Sequence, residues 1–331
     1  MGLLDKPEVT ILKESSDAKI YLEKLEALKE KVNDKPELAQ KIEKEIIVTK
    51  AGIIGEEQIL FELRNSGMDL VVIHDLYIED PNGNGAQIDF LVITPYVNVF
   101  VECKNLFGNI EINNKGEFIR TMQFGKKFTK EGIYSPITQN ERHLRVFKDC
   151  RRAEKGLLGG VFFEKSFEKY HKSIIVLANP KTVVNDRYAP AHIKRQVIRA
   201  DQLIAVLREL KSDVKSSKKE MLEYANKYLT LNIEGRTDYY AKYEELEKEI
   251  DSQANAEAVR ESVMSQKSKE INDKGGNLIT DENANAKKDV KTCPRCGKEL
   301  ILRTATKGEH QGKQFWGCSG FPKCRYIENI E

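Results

Sequence analysis

The sequence predicts a mixed α/β domain joined to a small cysteine-rich module, and three observations carry the prediction. Residues 87–93 (QIDFLVI) and 99–104 (VFVECK) are short runs rich in Val, Ile and Phe, the composition of strands. Helical and strand patterns alternate from Ala51 to near Lys211, as in a sheet covered by helices. Four of the six cysteines are confined to the span from Cys293 to Cys324.

In chain order, Ser15, Ser16 and Asp17 offer a helix start ahead of Ile20, Leu22, Leu25 and Leu28. The charged repeat around these residues, bent near Pro36, predicts a helical packing arm over 1–50. Residues 51–65 are again helical. Ile53, Ile59, Leu60 and Leu63 lie three, four or seven positions from Glu56 and place it on the buried stripe. Glu56 is then either an edge residue reaching solvent or a third acidic group beneath the helix. A strand follows over 70–78, and Pro81, Asn82, Gly83, Asn84 and Gly85 form a turn.

Thr94, Pro95, Tyr96 and Val97 join the two apolar runs as an antiparallel hairpin. A turn closed by Thr94 and Val97 pairs Ile93 with Asn98, Leu91 with Phe100, Asp89 with Glu102 and Gln87 with Lys104. Alternation then puts Gln87, Asp89, Glu102 and Lys104 on one face. Opposed carboxylates destabilise a sheet and cannot both stay ionised without help. A divalent cation held by Asp89 and Glu102, beside the Lys104 ammonium, meets that need and supplies the groups for phosphodiester hydrolysis.

Past the hairpin, residues 108–112 and 117–122 read as a second hairpin. Arg120, Lys126, Lys127 and Lys130, with Phe124 and Phe128 between them, fit a solvated edge strand or a phosphate-contacting surface. Ser135 and Pro136 cap and open a helix carrying Gln139 and His143. Gln139 suits a phosphate or a water, whereas His143 reads as a satisfied or exposed histidine rather than a base. Strands over 173–178 and 195–198 and a helix capped by Asp201 complete the domain at about residue 211.

Residues 212–271 are charged and helical, with Tyr224, Tyr228, Tyr239, Tyr240 and Tyr243 as packing aromatics. Residues 272–291 read as a flexible linker, spanning roughly 25 Å on average. In the final segment, 292–331, CPRC and GCSGFPKC place Cys293, Cys296, Cys318 and Cys324 as two metal-binding pairs. So short a segment needs a structural Zn²⁺ to fold, and a closed four-sulfur site leaves no open position for catalysis. Arg303, Lys307, Lys313, Lys323 and Arg325 are interleaved with Phe315, Trp316, Phe321 and Tyr326, the mixture that stacks unpaired bases and contacts phosphates. A knuckle that binds protein or caps a fold is the other reading.

Whole-chain properties exclude several classes. Lys+Arg 54 against Asp+Glu 52 leave a net charge of +2, so bulk charge gives no argument for nucleic acid and local clusters must carry it. MGLLDKPEVT has no basic region followed by an apolar core, and Lys6 stands where a myristoylation signal has Ser or Thr. Pro95 and Asn98 interrupt the longest apolar run, which falls short of a membrane span. The cysteine usage fits a reducing cytoplasm, and a cytoplasmic location is expected.

Residues 52–147 resemble the nuclease-related (NERD) domain, a branch of the restriction-endonuclease-like PD-(D/E)xK superfamily, through GEEQILFEL, QIDFLVI, VECKNLFG and SPITQNERH. The resemblance implies a restriction-endonuclease-like mixed sheet flanked by helices and DNA cleavage dependent on Mg²⁺ or Mn²⁺. It implies Asp89, Glu102 and the Cys103 carbonyl as ligands, Lys104 near the attacking water, Glu56 as the helical acid and Gln139 as the later polar residue. Gln87, opposite Lys104 in the expected register, is expected either to support the metal ligands from behind or to contact a phosphate. Residues 292–331 resemble the C-terminal four-cysteine zinc finger of type I DNA topoisomerases, through CPRCGKEL and GKQFWGCSGFPKCRY. That resemblance implies binding of single-stranded or frayed DNA. The expectation is a metal-dependent DNA nuclease with a tethered zinc finger; the alternative is a non-cleaving DNA-binding or scaffold protein with a nuclease-like fold in DNA repair or defence.

Overall fold

The computed structural model describes residues 6–14, 16–32, 34–235, 237–253, 255, 291–305 and 313–329. It divides into two compact units, Met1–Glu261 and Ser262–Glu331.

The first unit is built on a sheet of six strands in the order β1 (Val9–Lys13), β2 (Leu70–Glu79), β3 (Gly85–Ile93), β4 (Asn98–Lys104), β8 (His171–Leu177), β10 (Val197–Arg199). The strands β2, β3 and β4 are antiparallel, while β1, β8 and β10 join as parallel strands. A second, four-stranded sheet runs β7 (Lys127–Ile133), β6 (Phe118–Phe124), β5 (Asn109–Ile112), β9 (Val184–Asn185).

Helices cover both faces of the main sheet, which explains why β2, β3 and β4 are nearly continuous apolar runs. On one face Ile59, Leu60 and Leu63 of α2 (Pro36–Arg64) and Leu203 and Leu207 of α6 (Leu203–Glu209) pack on Val72, Phe90, Val92, Val101 and Val176. On the other, Val146 and Phe147 of α3 (Pro136–Ala153), Phe167 of α4 (Leu157–Tyr170) and Met221 and Ala225 of α7 (Lys218–Leu229) pack on Ile73, Leu91 and Phe100. The short α5 (Ala191–Lys194) brings Ile193 to a third cluster under the second sheet.

The N-terminal arm differs from expectation in two ways. It opens with a strand, β1, and its helical hairpin is α1 (Asp17–Lys31) against the first half of α2. The 29-residue α2 runs through residue 50 unbroken, so the expected boundary there falls inside a helix. Ser16 is the N-cap residue of α1 without a side-chain cap bond, and the Asp17 N–H donates instead to Asp75 Oδ2 at 2.7 Å; Ser15 lies outside the described residues. A helix over 238–253 completes the arm, with Tyr239, Tyr243 and Leu246 against Tyr21, Leu25 and Ile42.

Beyond residue 211 the chain does not leave the α/β core, because α7 buries Met221, Ala225 and Tyr228 within it. Asp201 does not cap the following helix: it sits within a 3-10 turn, Ala200–Gln202, whose Gln202 Oε1 accepts the Arg199 N–H at 3.0 Å. The expected linker, apart from residue 291, and part of the helical region before it lie outside the described residues. Among the described residues no helix is long and apolar enough to cross a membrane.

The second unit is a three-stranded antiparallel ribbon, β11 (Leu300–Thr304), β12 (Gln314–Cys318) and β13 (Ile327–Asn329). Its small core is Cys293, Leu300 and Cys318, with Trp316, Cys324 and Tyr326 packed on it.

Candidate functional site

The hairpin of β3 and β4 pairs Ile93 with Asn98 and Leu91 with Phe100, as expected, but the ladder ends at Phe90 and Val101. Beyond that point β3 continues to Gly85 on β2, and β4 continues to Lys104 on β8. From the turn bond of Thr94 N–H to Val97 O, paired positions recur at every second residue, so an unbroken ladder sends the Cys103 N–H to Ile88 O. Instead it donates to Asp89 Oδ2 at 2.7 Å. The strands thus part where the acidic residues begin, and Asp89 fills a backbone acceptor's place.

Gln87 requires a correction. It does not stand opposite Lys104: it pairs with Tyr77 of β2, and its Nε2 donates to Asp75 Oδ1 at 2.7 Å. Asp75 lies in the register between His74 and Leu76, opposite Asp89, and has φ 56°. This left-handed conformation is accessible to Asp more readily than to most residues. It lets one carboxylate cap α1 through Asp17 and hold Gln87, with the Lys13 ammonium 3.8 Å away.

The helix α3 enters through the Ser135 cap, whose Oγ accepts the Thr138 N–H at 3.3 Å, with Pro136 in the first turn. It is clamped to the sheet by buried Asn140, whose Nδ2 donates to Phe100 O and Ser173 Oγ, both at 2.9 Å. This clamp sets Gln139 and His143 over the end of β4. Lys104 Nζ donates to Gln139 Oε1 at 3.1 Å and to Glu102 Oε1 at 2.6 Å. His143 Nδ1 lies 3.3 Å from Glu102 Oε2 without hydrogen-bonding alignment, so both atoms are buried with no hydrogen-bond partner. His143 is therefore a neighbour of the acidic pair, which its position in the sequence did not reveal.

From the opposite face α2 approaches β4 closely because Gly55 has no side chain. A Cβ there would stand 2.7 Å from Asn105 Cβ and 3.0 Å from Cys103 Sγ. Glu56 follows, its Oε2 2.9 Å from His74 Nε2. The His74 ring is buried and stacks on Phe90 at 4.6 Å between centroids. Sequence reasoning missed His74 and Asp75, although two adjacent polar residues inside the apolar strand LVVIHDLYIE are a detectable signal.

The electrostatics follow from this crowding. Burial, and then the charges of Glu102 and Glu56, push the Asp89 carboxyl well above the usual carboxylate range. Burial also raises Glu102, but His143 and Lys104 outweigh it and hold that carboxyl below its ordinary value. Burial works against the Lys104 ammonium, yet Glu102 and Asp89 raise its pKa. Burial, then Asp89 and Glu56, push the Cys103 thiol well up, so it stays a neutral packing group.

The basic run lies on β6, β7 and the turn between them, with β7 the exposed edge of the second sheet. Arg120 pairs with Glu131, and Lys130 with Glu111 at 3.0 Å, which neutralises part of that surface.

In the second unit the sulfurs of Cys293, Cys296, Cys318 and Cys324 all lie within 4.8 Å of one another. The Cys293 to Cys324 separation of 3.7 Å matches the S···S distance of about 3.8 Å in a tetrahedral zinc site. Arg303 and Phe315 pair across β11 and β12 on the face away from the cysteines, with Ile301 and Ile327. Lys313, Phe321, Lys323 and Arg325 are exposed, whereas Trp316 and Tyr326 are half-buried against the cysteine core. Lys307 lies outside the described residues.

Comparison with known proteins agrees with this division. Residues 51–178 match the nuclease-related domain (NERD), and residues 290–331 match the topoisomerase DNA binding C4 zinc finger. DNA topoisomerase 1 of Methanocaldococcus jannaschii is 43% identical over 44 residues, which are 13% of this chain and 5% of that protein's length. The chain thus spans only a small part of that curated relative's length. No solved structure matches the chain.

Proposed function

We propose that this protein is a metal-dependent DNA nuclease whose zinc module holds single-stranded or frayed DNA. One observation carries the reading: Glu102 Oε2 is buried without a hydrogen-bond partner, beside an Asp89 carboxyl whose charge is disfavoured. A divalent cation relieves both conditions, and carboxylates with a backbone carbonyl are the hard oxygen donors that Mg²⁺ or Mn²⁺ takes.

Asp89, Glu102 and the Cys103 carbonyl would hold the ion, with Glu56 as a nearby acid. When bound, the ion supplies positive charge to the scissile phosphate and makes an attacking water more acidic. Lys104, anchored between Glu102 and Gln139, presents its ammonium to the phosphate and stabilises the charge that develops there. Gln139 fixes the direction of that ammonium, and the Cys103 N–H fixes Asp89. Gln87, bonded to Asp75, supports the acidic strand rather than touching the phosphate. The exposed Arg303, Phe321, Lys323 and Arg325, with the half-buried Phe315, supply phosphate contacts and base stacking, and tethering raises the local concentration of DNA.

The second reading, a protein that retains DNA without cutting it, is favoured by one observation. Among the described residues the cysteines are the only set of three or more His, Cys, Asp or Glu side chains drawn together, so no third such side chain is gathered with Asp89 and Glu102. Incubating the purified protein with plasmid and with single-stranded DNA, with Mg²⁺, with Mn²⁺ and with chelator, separates the two. Scission that requires metal supports the nuclease; retention without scission supports the alternative.

A further inference from the structure

A cavity of about 300 Å³ opens at the end of β4 remote from Lys104, at the small end of ligand-site volumes, roughly 300–1,000 Å³. Asn98 and Lys104 begin and end β4, which separates the cavity from Glu102 by about 13 Å and from Lys104 by about 20 Å at the ordinary strand rise. Its walls include Tyr96, Asn98, Tyr170, His171, Tyr224 and Tyr228. Tyr224 and Tyr228 stand one turn apart on one face of α7. The segment between α6 and α7 closes one side: Ser212 Oγ donates to Tyr96 O and the Ser216 N–H to Pro95 O, both at 2.7 Å, and Tyr170 Oη donates to Asp213 Oδ1 at 3.1 Å.

Among the described residues no Asp, Glu, Lys or Arg lines this space, although Lys211 Nζ lies 4.2 Å from the Tyr96 ring centroid and Arg151 5.2 Å from that of Tyr228. Its histidine is neutral. His171 Nδ1 must donate to Phe167 O, at 2.9 Å, because a carbonyl only accepts, which leaves Nε2 as the acceptor for Asn98 Nδ2 at 3.3 Å. Asn98 Nδ2 gives its second hydrogen to Tyr228 Oη at 3.1 Å. Both amide hydrogens are spent, and the amide retains a carbonyl oxygen as acceptor while the Tyr228 hydroxyl retains its proton as donor. One donor and one acceptor therefore stand on bonded neighbours, among tyrosine rings, on a lining that carries no charged side chain among the described residues. An ionic ligand meets no ion-pair partner on that lining, and a purely aliphatic one wastes the polar pair.

We propose that this cavity binds a nucleobase: a planar, uncharged heterocycle stacked on tyrosine, with its donor and acceptor edge on Asn98 Oδ1 and the Tyr228 hydroxyl. The base comes either from a free nucleoside or from a DNA strand.

The test titrates the full-length chain, without added divalent metal, with adenosine, guanosine, cytidine and thymidine, using ligand-detected NMR. At least one nucleoside binds saturably, and Tyr224→Ala weakens it about tenfold, the usual worth of one base stacked on an aromatic ring. Tyr224 is exposed at the rim, 45% accessible, so this variant folds. Tyr228→Phe keeps the buried ring, removes the donor and weakens binding likewise. A short single-stranded oligonucleotide that binds more tightly, and still depends on Tyr224, assigns the base to a strand; equal affinity assigns it to a free nucleoside. The proposal is overturned if the folded wild type binds no nucleoside, or if affinity is unchanged in both variants. Because no cleavage is measured, a chain that binds nucleosides without cutting DNA upholds this inference while defeating the nuclease reading, and the reverse result does the opposite.

Discussion

The Cys103 N–H donates to Asp89 Oδ2 at 2.7 Å at the place where β3 and β4 stop pairing. One bond thus locks an acid on the first strand to the peptide between Glu102 and Lys104. It also keeps Asp89 close to Glu102, a neighbour whose charge it opposes. That conflict is the usual mark of a functional site held against its own stability.

Asp89→Asn tests the conflict directly. The amide oxygen still accepts from Cys103 while the opposed charge is gone, so without metal the variant gains stability on the order of 1 kcal/mol. Chemical denaturation in chelator measures it, and the same variant loses metal-dependent cleavage. A variant less stable than wild type contradicts the charge conflict.

Gly55→Ala tests the close approach of α2. The added methyl meets Asn105 Cβ, Cys103 Sγ and Ala178 Cβ at 2.7, 3.0 and 3.3 Å, none of them the far end of a flexible chain. Overpacking of this kind costs about 1–3 kcal/mol. The helix shift also moves Glu56, so cleavage falls while DNA retention by the zinc module is kept.

Zinc removal acts on the second unit alone. Its core is little more than Cys293, Leu300 and Cys318, too small to fold without metal. A strong chelator releases one zinc per chain and abolishes tight single-stranded DNA binding, while thermal unfolding of the first unit is unchanged. Elemental analysis and DNA titration at fixed salt check this, since phosphate contacts weaken as salt rises.

His171 gives a pH dependence with a definite sign. Burial lowers its pKa from 6.5 to about 4, so between these values the unfolded chain binds the proton that the folded chain refuses. Stability therefore falls as pH drops from 6.5 towards 4, by about 3 kcal/mol from this group. His171→Gln flattens that part of the profile, and denaturant titrations of both proteins across the range read the difference.

Much of this architecture was legible because local and global signals agree. The turn closed by Thr94, the cap at Ser135 and the cysteine pairs each have a local cause, and β3, α3 and the zinc ribbon follow from them. What the chain order concealed depends on partners distant in sequence. The parting of β3 and β4 is set by neighbours β2 and β8 rather than by the hairpin, which is why Gln87 met Asp75 instead of Lys104. The helix α4 contains Gly159 and Gly160, poor helix formers, and is held by Phe167 in the core. His143 next to Glu102 follows from the Asn140 clamp, whose acceptors are 40 and 33 residues away.

The most direct measurement is single-turnover cleavage of single-stranded and plasmid DNA by wild type and Lys104→Ala, with Mg²⁺ and with chelator. Lys104 joins Glu102 to Gln139 and is the group assigned to the developing phosphate charge. The expected result is metal-dependent scission by wild type and a loss of at least about a hundredfold in the variant, with DNA affinity retained. Undiminished cleavage by Lys104→Ala, or cleavage by wild type in chelator, would contradict the assignment.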